Sequence, residues 1–292
     1  MSAPEVSVIL PVYNRAATVG AALASALGQQ GPALEVVLVD DGSSDGLEAA
    51  LAPFRPDSRL RVLRHPERRG AAAARNTAIA EARGPWLAFL DSDDEWRPGK
   101  LGAQLAALAA AGPGLSMALT AALLDRGAAG TEVRVPRTSP SCRDVILAGC
   151  TQSPGSTAVI ARAAFERYGP FEERLERLDD WEWLLRFRES DDFLVVPEPL
   201  AVVHVHDFAG VEAVDRAAAL IWHRHAPRVR KEGLRRLGSF AGAVLIERAF
   251  ARLAAGRLPG AFGLLALGLA LHGRGSELPA RARRRLRRAL KP

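Results

Sequence analysis

Short runs of β-branched and apolar residues alternate with Ala- and Leu-rich segments through residues 6–111, and this alternation constrains the fold more than any other feature. The apolar runs predict strands at 6–12, 34–39, 61–63 and 86–90. The segments between and after them predict helices at 15–29, 70–83 and 98–111. Because strands that alternate with helices of about 10–15 residues form βαβ units, we predict an α/β fold built on a mostly parallel sheet.

The remainder of the chain is less regular and then becomes purely helical. We predict strands at 117–124, 131–135, 158–161 and 201–206, and a helix at 179–188. From about Val211 onward the pattern is helical only, with the apolar residues of 237–245 on one helical face. We therefore predict a domain of residues 1–210, with a boundary between halves at 97 and 98, and a helical extension of residues 211–292.

The formal net charge of +6 conceals an uneven distribution along the chain. Residues 1–223 hold 22 basic and 30 acidic side chains, whereas residues 224–292 hold 17 basic and 3 acidic ones. This division disfavours a nucleic-acid-binding protein, which would be basic throughout, and it favours an acidic body with a basic extension. Cys142 and Cys150 are too few for a disulfide scaffold, which favours a reducing compartment.

Two further features bear on localisation. The first residues lack the basic leader of a signal peptide, so none is expected. The longest apolar stretch, 258–271, is shorter than the roughly 20 residues that a membrane-spanning helix needs. We therefore expect a cytoplasmic protein.

Polar residues gather where the predicted strands end. The first strand is followed by Tyr13, Asn14 and Arg15, the second by Asp40 and Asp41, and the fourth by Asp91 and Asp93. Ligands of open parallel sheets bind beyond the carboxyl ends of the strands. Neighbouring acidic clusters repel each other unless a cation lies between them, and Mg²⁺ or Mn²⁺ holding substrate phosphates fits that need. The alternative is that these aspartates only cap helices and form Asx-turns.

Five sequence motifs occur in the order found in one enzyme family. They are VSVILPVYNR at 6–15, VDDGSSDG at 39–46, AARNTAIAEARGPWLAFLDSDDEW at 73–96, GSTAVIARAAFERYGPFEERL at 155–175 and DDWEWLLR at 179–186. Together they resemble the family 2 glycosyltransferases, which are inverting, nucleotide-sugar-dependent enzymes of the GT-A fold. The resemblance covers roughly two-thirds of the chain, from Val6 to about His206. It implies that residues 1–97 bind the nucleotide sugar and that residues 98–210 bind the acceptor.

The resemblance assigns roles in donor binding. The positions that match the family's nucleoside pocket are Pro11, Tyr13 and Arg15, and those that match its base-recognising pair are Asp40 and Asp41. Asp41 is the favoured partner of the nucleobase imide, because a carboxylate accepts a hydrogen bond from an N–H group. Arg75 matches the Arg-Asn motif near the diphosphate. In the Asp-x-Asp motif, Asp93 would bind the metal and Asp91 would contact the ribose or a metal-bound water.

The resemblance also assigns the catalytic base. In the segment that begins at Asp179 and continues through Asp180 and Trp181, the second acid matches the base that accepts the proton of the acceptor hydroxyl. Asp179 replaces the usual Glu, so it stays a second candidate, and acids at a helix start that suit its dipole are the structural alternative. His206 matches the histidine of an Arg-x-His motif near the diphosphate. Trp181 either stacks on a sugar ring or packs in the core.

The implied reaction moves a sugar from a nucleotide diphosphate to a hydroxyl acceptor by single displacement. UDP-sugars are the commonest donors in the family, and its acceptors include glycans and lipid-linked saccharides. A nucleotidyltransferase is a weaker alternative, because that class carries a glycine-rich loop with a Lys near its start and the first Lys here is Lys100. A non-catalytic nucleotide-sugar-binding scaffold is the other alternative.

The C-terminal segment 258–291 combines an apolar stretch with an arginine-rich one. The apolar stretch is 258–271, and residues 281–291 read RARRRLRRALK with no acidic side chain. Such a segment can lie on an anionic membrane surface, where each Arg contributes roughly 1 kcal/mol. We therefore expect peripheral association with the inner face of the cell membrane. The alternatives are packing on the acidic body and a solvated arm.

Overall fold

The computed structural model describes residues 3–138, 141–149, 154–187, 193–205 and 210–272. Contacts between Cα atoms divide the chain into two units, and each consists of several segments. The first unit contains residues 1–138, 152–174 and 187–205, and the second contains residues 139–151, 175–186 and 206–292.

The secondary structure alternates between strand and helix as far as the last strand and is helical after it. In chain order the strands are β1 Val6–Val12, β2 Leu34–Asp40, β3 Leu60–Arg64, β4 Trp86–Phe89, β5 Glu95–Trp96, β6 Met117–Asp125, β7 Thr131–Arg134, β8 Ala158–Ala161 and β9 Leu194–His204. The α-helices are α1 Val19–Leu27, α2 Leu47–Leu51, α3 Ala71–Glu81, α4 Lys100–Ala111, α5 Cys142–Leu147, α6 Pro154–Thr157, α7 Arg162–Tyr168, α8 Asp179–Leu185, α9 Val211–Lys231, α10 Leu234–Ala254 and α11 Leu258–His272.

The first unit is built on one sheet with the strand order β3-β2-β1-β4-β8-β6-β9-β5, to which β7 is added by pairing with β6. The first four strands in this order are parallel to one another. Every residue of β1 and of β2 is buried, as expected for strands that helices cover on both faces. Consecutive parallel strands bring their carboxyl ends to one edge of the sheet, which places the loops after β1, β2 and β4 together.

The second half of the sheet contains antiparallel pairs, so the sheet is mixed. Strand β8 runs antiparallel to both β4 and β6, while β9 is parallel to β6. Strand β9 begins at Leu194, seven residues before the predicted start at 201, and its pairing with β6 shifts register on either side of Ala121. Such a shift marks a bulge, which lets a strand with two prolines stay in the sheet.

The second unit is helical throughout its described residues. Its helices are α5, α8, α9, α10 and α11. One apolar cluster centres on Ile246, Ala249 and Phe250 of α10 and Leu265 of α11. Helices α10 and α11 approach closely at Gly242, where a Cβ atom would lie 2.5 Å from the Gly268 carbonyl oxygen. A side chain at that position is therefore excluded.

The two units of the structure have boundaries that differ from the single boundary predicted from the sequence. The second unit includes 139–151 and 175–186, both of which precede the predicted boundary at residue 210. A single division at that residue stays a prediction. Within the described residues, no helix combines the length and the apolar character needed to cross a bilayer.

Candidate active site

The loops that follow β1 and β2 are joined by hydrogen bonds. The Asn14 backbone N–H donates to Ser43 Oγ at 2.9 Å, and the Ser44 N–H donates to Asn14 Oδ1 at 2.9 Å. The Asp41 N–H donates to the Val12 carbonyl oxygen at 2.8 Å. Asn14 adopts a left-handed backbone conformation with φ of 49°, which an Asn side chain tolerates better than most. The two strand ends therefore form one connected surface.

Asp40 is buried at the end of β2, with 3% of its surface exposed. Its Oδ1 accepts a hydrogen bond from the Ser43 N–H at 2.8 Å, and its Oδ2 lies 3.3 Å from Nη1 of Arg64. The carboxylate thus closes the turn after β2 and is paired with a largely exposed guanidinium. Arg64 is the cation that balances this buried charge.

The Asp41 carboxylate holds the loop that leads into α3. Its Oδ1 accepts from the Arg69 N–H at 2.8 Å, and its Oδ2 accepts from the Gly70 N–H at 2.7 Å. His65 Nδ1 lies 2.7 Å from the same Oδ1, and His65 Nε2 lies 2.9 Å from Thr77 Oγ1. Base recognition by Asp41 stays a prediction: Oδ2 accepts the hydrogen bond from Gly70 and could accept another donor, although only 2% of the residue is exposed.

Tyr13 and Arg15 lie beside this surface. Tyr13 is 38% exposed, and the Arg68 guanidinium carbon lies 4.7 Å from the centre of its ring. Arg15 Nε lies 3.3 Å from Asp93 Oδ2, which connects the loop after β1 to the one after β4. Pro11 is buried inside β1. A partly exposed aromatic ring beside a guanidinium group can bind a planar base and its phosphates.

Asp91 begins the loop after β4 and is held from three sides. Arg75 Nη2 donates to Asp91 Oδ1 at 2.8 Å. The Asp91 N–H donates to Ser156 Oγ at 3.0 Å. A Cβ atom added at Gly155 would lie 3.0 Å from Asp91 Oδ2, so the segment before β8 passes tightly over this carboxylate. The loop geometry thus depends on residues far along the chain.

Asp94 is the buried acid of the same loop. Ser156 Oγ donates to Asp94 Oδ2 at 2.5 Å, and the His204 N–H donates to Asp94 Oδ1 at 2.9 Å. Burial, together with the charges of Asp91 and Asp93, raises the pKa of Asp94 to about 8. Burial contributes most to this rise, and the charges of Asp91 and Asp93 add to it.

The acids at this strand end suit a divalent cation that is shared with a substrate. No group of three or more His, Cys, Asp or Glu side chains converges as a metal site in the part of the chain that the structure describes. Mg²⁺, however, is commonly held by one or two carboxylates together with substrate phosphates. Asp91 and Asp93 could supply that number of carboxylates, and their metal roles stay a prediction.

Asn76, Asp94 and Ser156 belong to the site but were not predicted from the sequence. Asn76 Nδ2 donates to the Phe171 carbonyl oxygen at 3.0 Å, and the Phe171 N–H donates to Asn76 Oδ1 at 2.9 Å. The Phe171 ring in turn lies 6.0 Å from the Arg75 guanidinium carbon. The signal for Asn76 was its place beside Arg75 in the Arg-Asn motif.

The predicted base Asp180 lies in the second unit, whereas the residues above lie in the first. It is the second residue of α8, after Asp179, and its Oδ1 accepts from the Trp181 N–H at 2.7 Å. Trp181 is buried, and its indole N–H donates to the Ile146 carbonyl oxygen at 2.8 Å. The ring therefore packs in the core. Core packing was one of the two options that the sequence left open for Trp181, and stacking on a sugar ring was the other. His206 lies outside the described residues.

Comparison with known proteins identifies the family. A sequence model described as "Glycosyl transferase family 2" matches residues 7–169, more than half of the chain. The chain belongs to glycosyltransferase family 2. This confirms the resemblance read from the five motifs.

Two curated relatives show how far the similarity extends. The succinoglycan biosynthesis protein ExoO of Rhizobium meliloti is 46% identical over 98 residues, which is 34% of this chain and 28% of ExoO. WfgD of Escherichia coli, a UDP-Glc:alpha-D-GlcNAc-diphosphoundecaprenol beta-1,3-glucosyltransferase, is 43% identical over 100 residues, which is 34% of this chain and 39% of WfgD. The chain thus spans well under half the length of these relatives.

Solved structures match over nearly the whole chain. One is the mannosyltransferase PcManGT from Pyrobaculum calidifontis, in complex with GDP-Man and Mn²⁺, with a TM-score of 0.62 and 25% sequence identity. The match covers 99% of this chain and 81% of the PcManGT chain. Another is residues 1–349 of TarS from S. aureus, in complex with UDP, with a TM-score of 0.59 and 19% sequence identity. That match covers 93% of this chain and 91% of the TarS chain. The predicted GT-A fold with C-terminal helices is thereby confirmed.

Proposed function

We propose that this glycosyltransferase moves a sugar from a nucleotide-diphosphate donor to a hydroxyl acceptor by single displacement with inversion, assisted by a divalent cation. The observation that carries this proposal is the set of acids and arginines where β1, β2 and β4 end, with Arg15 on Asp93 and Arg75 on Asp91. Two guanidinium groups already paired with carboxylates can turn to the diphosphate when a cation takes over those carboxylates.

Donor binding falls to the first unit. Tyr13 offers its exposed face to the nucleobase, and Asp40 or Asp41 accepts from the base imide. Arg15 and Arg75 bind the diphosphate oxygens. Pro11, buried in β1, shapes the floor of the nucleoside pocket.

The cation would be Mg²⁺ or Mn²⁺, held by Asp93, with Asp91 contacting the ribose or a metal-bound water. When bound there, it offsets the negative charge that develops on the diphosphate leaving group. Oxygen ligands suit both ions, and the PcManGT complex contains Mn²⁺. His206 stays a further candidate for a diphosphate contact.

Asp180 accepts the proton of the attacking hydroxyl. A base on the acceptor side of the anomeric carbon allows attack opposite the leaving group, and this inverts the configuration. Asp179 is the second candidate, since it occupies the neighbouring position at the start of α8.

The relatives suggest the substrate classes. UDP-Glc is in the name of WfgD, UDP is bound in TarS and GDP-Man in PcManGT, so we propose a nucleoside diphosphate sugar with UDP first. The relatives' names include succinoglycan and a diphosphoundecaprenol-linked sugar. A growing glycan or a lipid-linked saccharide is therefore the proposed acceptor, in polysaccharide biosynthesis.

We also propose that residues 258–291 bind an anionic membrane surface on the cytoplasmic side. Helix α11 carries exposed leucines at 258, 267 and 271, and the arginine-rich segment that follows lies outside the described residues. Co-sedimentation with vesicles should require anionic lipid, weaken with salt and disappear on truncation after Pro279. Equal binding by the truncated protein would contradict this.

The test of the catalytic proposal is a panel of nucleotide diphosphates and their sugars, measured by thermal shift with and without Mn²⁺. Asp93→Asn should remove the Mn²⁺-dependent part of nucleotide binding and abolish transfer. Asp180→Asn should keep donor binding while kcat falls about 10²–10⁴-fold. The matched control is Asp57→Asn, whose carboxylate pairs with Arg59 away from the site and should change neither.

The outcomes separate the alternatives. Nucleotide-sugar binding without transfer to any acceptor would indicate a non-catalytic scaffold. Undiminished Mn²⁺ dependence in Asp93→Asn would remove Asp93 from the metal site. A larger loss from Asp179→Asn than from Asp180→Asn would move the base to Asp179.

A further inference from the structure

Helix α8 carries a buried carboxylate that two arginines and a histidine surround. Glu182 has no exposed surface, and its Oε1 lies 2.9 Å from Nη1 of Arg224 and 2.9 Å from Nε2 of His225. Its Oε2 accepts from Nε of Arg186, the residue that follows α8, at 3.1 Å. Two of the three partners come from α9, so Glu182 joins α8 to α9.

The electrostatics of Glu182 favour an ionised anchor. Burial by itself would raise the pKa of Glu182, but the hydrogen bonds from His225, Arg186 and Arg224 outweigh burial and lower the pKa to about 2. A buried carboxylate of this kind is costly to leave without its partners. The contact between α8 and α9 is therefore fixed in one arrangement.

Glu182 lies two residues after the proposed base. Successive residues of an α-helix are about 100° apart around the axis, so Asp180 and Glu182 are separated by about 160° and lie on nearly opposite sides of α8. Asp179, three residues before Glu182, projects only about 60° away from it. Anchoring Glu182 on α9 therefore sets the rotation of α8 and directs Asp180 to the opposite side.

Two other features fix the same short helix. Leu178, immediately before the acidic pair, has φ of 61°, a left-handed conformation that is strained for Leu and persists only where surrounding contacts impose it. The Trp181 indole bond to the Ile146 carbonyl ties the next turn to the core of the unit. The start of α8 is thus constrained on both sides of Asp180.

We propose that Glu182, held by Arg224 and His225, is a positioning residue that sets the direction of the Asp180 carboxylate. The inference rests on the proposed function, in which Asp180 is the base. It assigns Glu182 no contact with the substrate. On the helical wheel, Asp180 lies farther from the Glu182 side than Asp179 does.

The test is Glu182→Gln, which keeps the shape of the side chain and removes its charge. We expect kcat to fall about 10–100-fold, as for a displaced catalytic group, with donor KM and Mn²⁺-dependent nucleotide binding changed less than about twofold. In an Asp180→Asn background the same substitution should cause no further loss, because groups that act as a unit are not additive. A merely structural role would lower both backgrounds equally.

The matched control is Asp215→Asn. Asp215 is also a carboxylate of α9 that two arginines hold, Arg248 at 2.7 Å and Arg252 at 2.5 Å, both on α10. It has no link to α8 among these contacts, so kcat should stay unchanged. If Glu182→Gln does not fold, Arg224→Gln replaces it, since Arg224 is partly exposed, and a smaller loss of kcat with the same non-additivity is expected.

Three results would overturn the inference. They are an unchanged kcat in the folded Glu182 or Arg224 variant, an equal loss in Asp215→Asn, and losses that multiply with that of Asp180→Asn. If Asp180→Asn itself leaves kcat unchanged, the proposed base is wrong and the inference is wrong with it. The single and double variants therefore distinguish the two failures.

Discussion

Replacing Asn76 with Ala should destabilise the first unit and weaken donor binding. The substitution removes two hydrogen bonds between the side chain and the Phe171 backbone, at 3.0 Å and 2.9 Å. Each contributes a net of about 0.5–1.5 kcal/mol, so the free energy of unfolding should fall by about 1–3 kcal/mol. A third bond, to exposed Glu173, adds little. Urea denaturation measures the loss, and nucleotide titration should show weaker binding because Phe171 packs against Arg75.

Asn76→Asp is the discriminating companion. It keeps an oxygen that accepts from the Phe171 N–H, but it puts a second oxygen where the amide nitrogen lies 3.0 Å from the Phe171 carbonyl and 3.0 Å from Glu173 Oε1. At pH 7 this variant should be at least as unstable as Asn76→Ala, and it should recover part of the loss below about pH 4 as carboxylates are protonated. Wild-type stability of Asn76→Asp at pH 7 would refute the bonding described for this side chain.

Three other perturbations have outcomes that follow from the structure. Because the pKa of Glu182 falls from 4.5 to about 2 on folding, the free energy of unfolding should drop by about 3 kcal/mol as the pH falls through that interval. Urea denaturation at a series of pH values measures this drop, and the free energy of unfolding of Glu182→Gln should depend less on pH than that of the wild type. Gly155→Ala places a methyl group 3.0 Å from Asp91 Oδ2 and should weaken Mn²⁺-dependent nucleotide binding by about fivefold in calorimetry, whereas Gly102→Ala, in an uncrowded helical position, should not. Burial lowers the pKa of Lys100 well below 10.5, so stability should rise with pH on the alkaline side, and Lys100→Met should remove that rise in denaturation curves.

The strands and the site edge were predictable because they depend on local composition. Residues 6–12 form β1 with the predicted bounds, and β2 extends the predicted 34–39 by a single residue. Continuous β-branched runs between polar ends leave few alternatives for a buried strand. The same runs locate Asp40 and Asp91, because each directly or closely follows an apolar stretch.

The helix boundaries were less predictable because tertiary contacts decide them. A helix was predicted from Arg15, but α1 begins at Val19. The Ala16 N–H donates to Asp45, and Thr18 Oγ1 donates to the Ser92 carbonyl oxygen, so the preceding segment follows its neighbours instead of the helix. Neither partner is close in sequence, and propensity alone carries no information about them.

The start of strand β9 and the burial of Asp94 could not be predicted from local sequence patterns, because both depend on contacts with distant residues. Two prolines and Glu198 interrupt the apolar run of β9, and its bulge against β6 was not predictable from one strand alone. Asp94 looked like one more acid in a run of three. Its burial depends on Ser156 and on the His204 amide, which lie 62 and 110 residues away.

The hydroxyl of Ser156 gives the site an order of assembly during synthesis. The chain emerges from the ribosome N-terminus first, and Asp91 is made 65 residues before its partner. At a synthesis rate of roughly 5–20 residues per second, about 3–13 s pass before Ser156 is made. Only then can its hydroxyl accept a hydrogen bond from the Asp91 N–H and donate one to Asp94. During that interval the sequences of the parallel strands and both acids have been made, but the bonds from Ser156 cannot yet form. A nascent chain that ends before α6 would therefore carry the acids of the proposed metal site without the bonds that Ser156 makes to them.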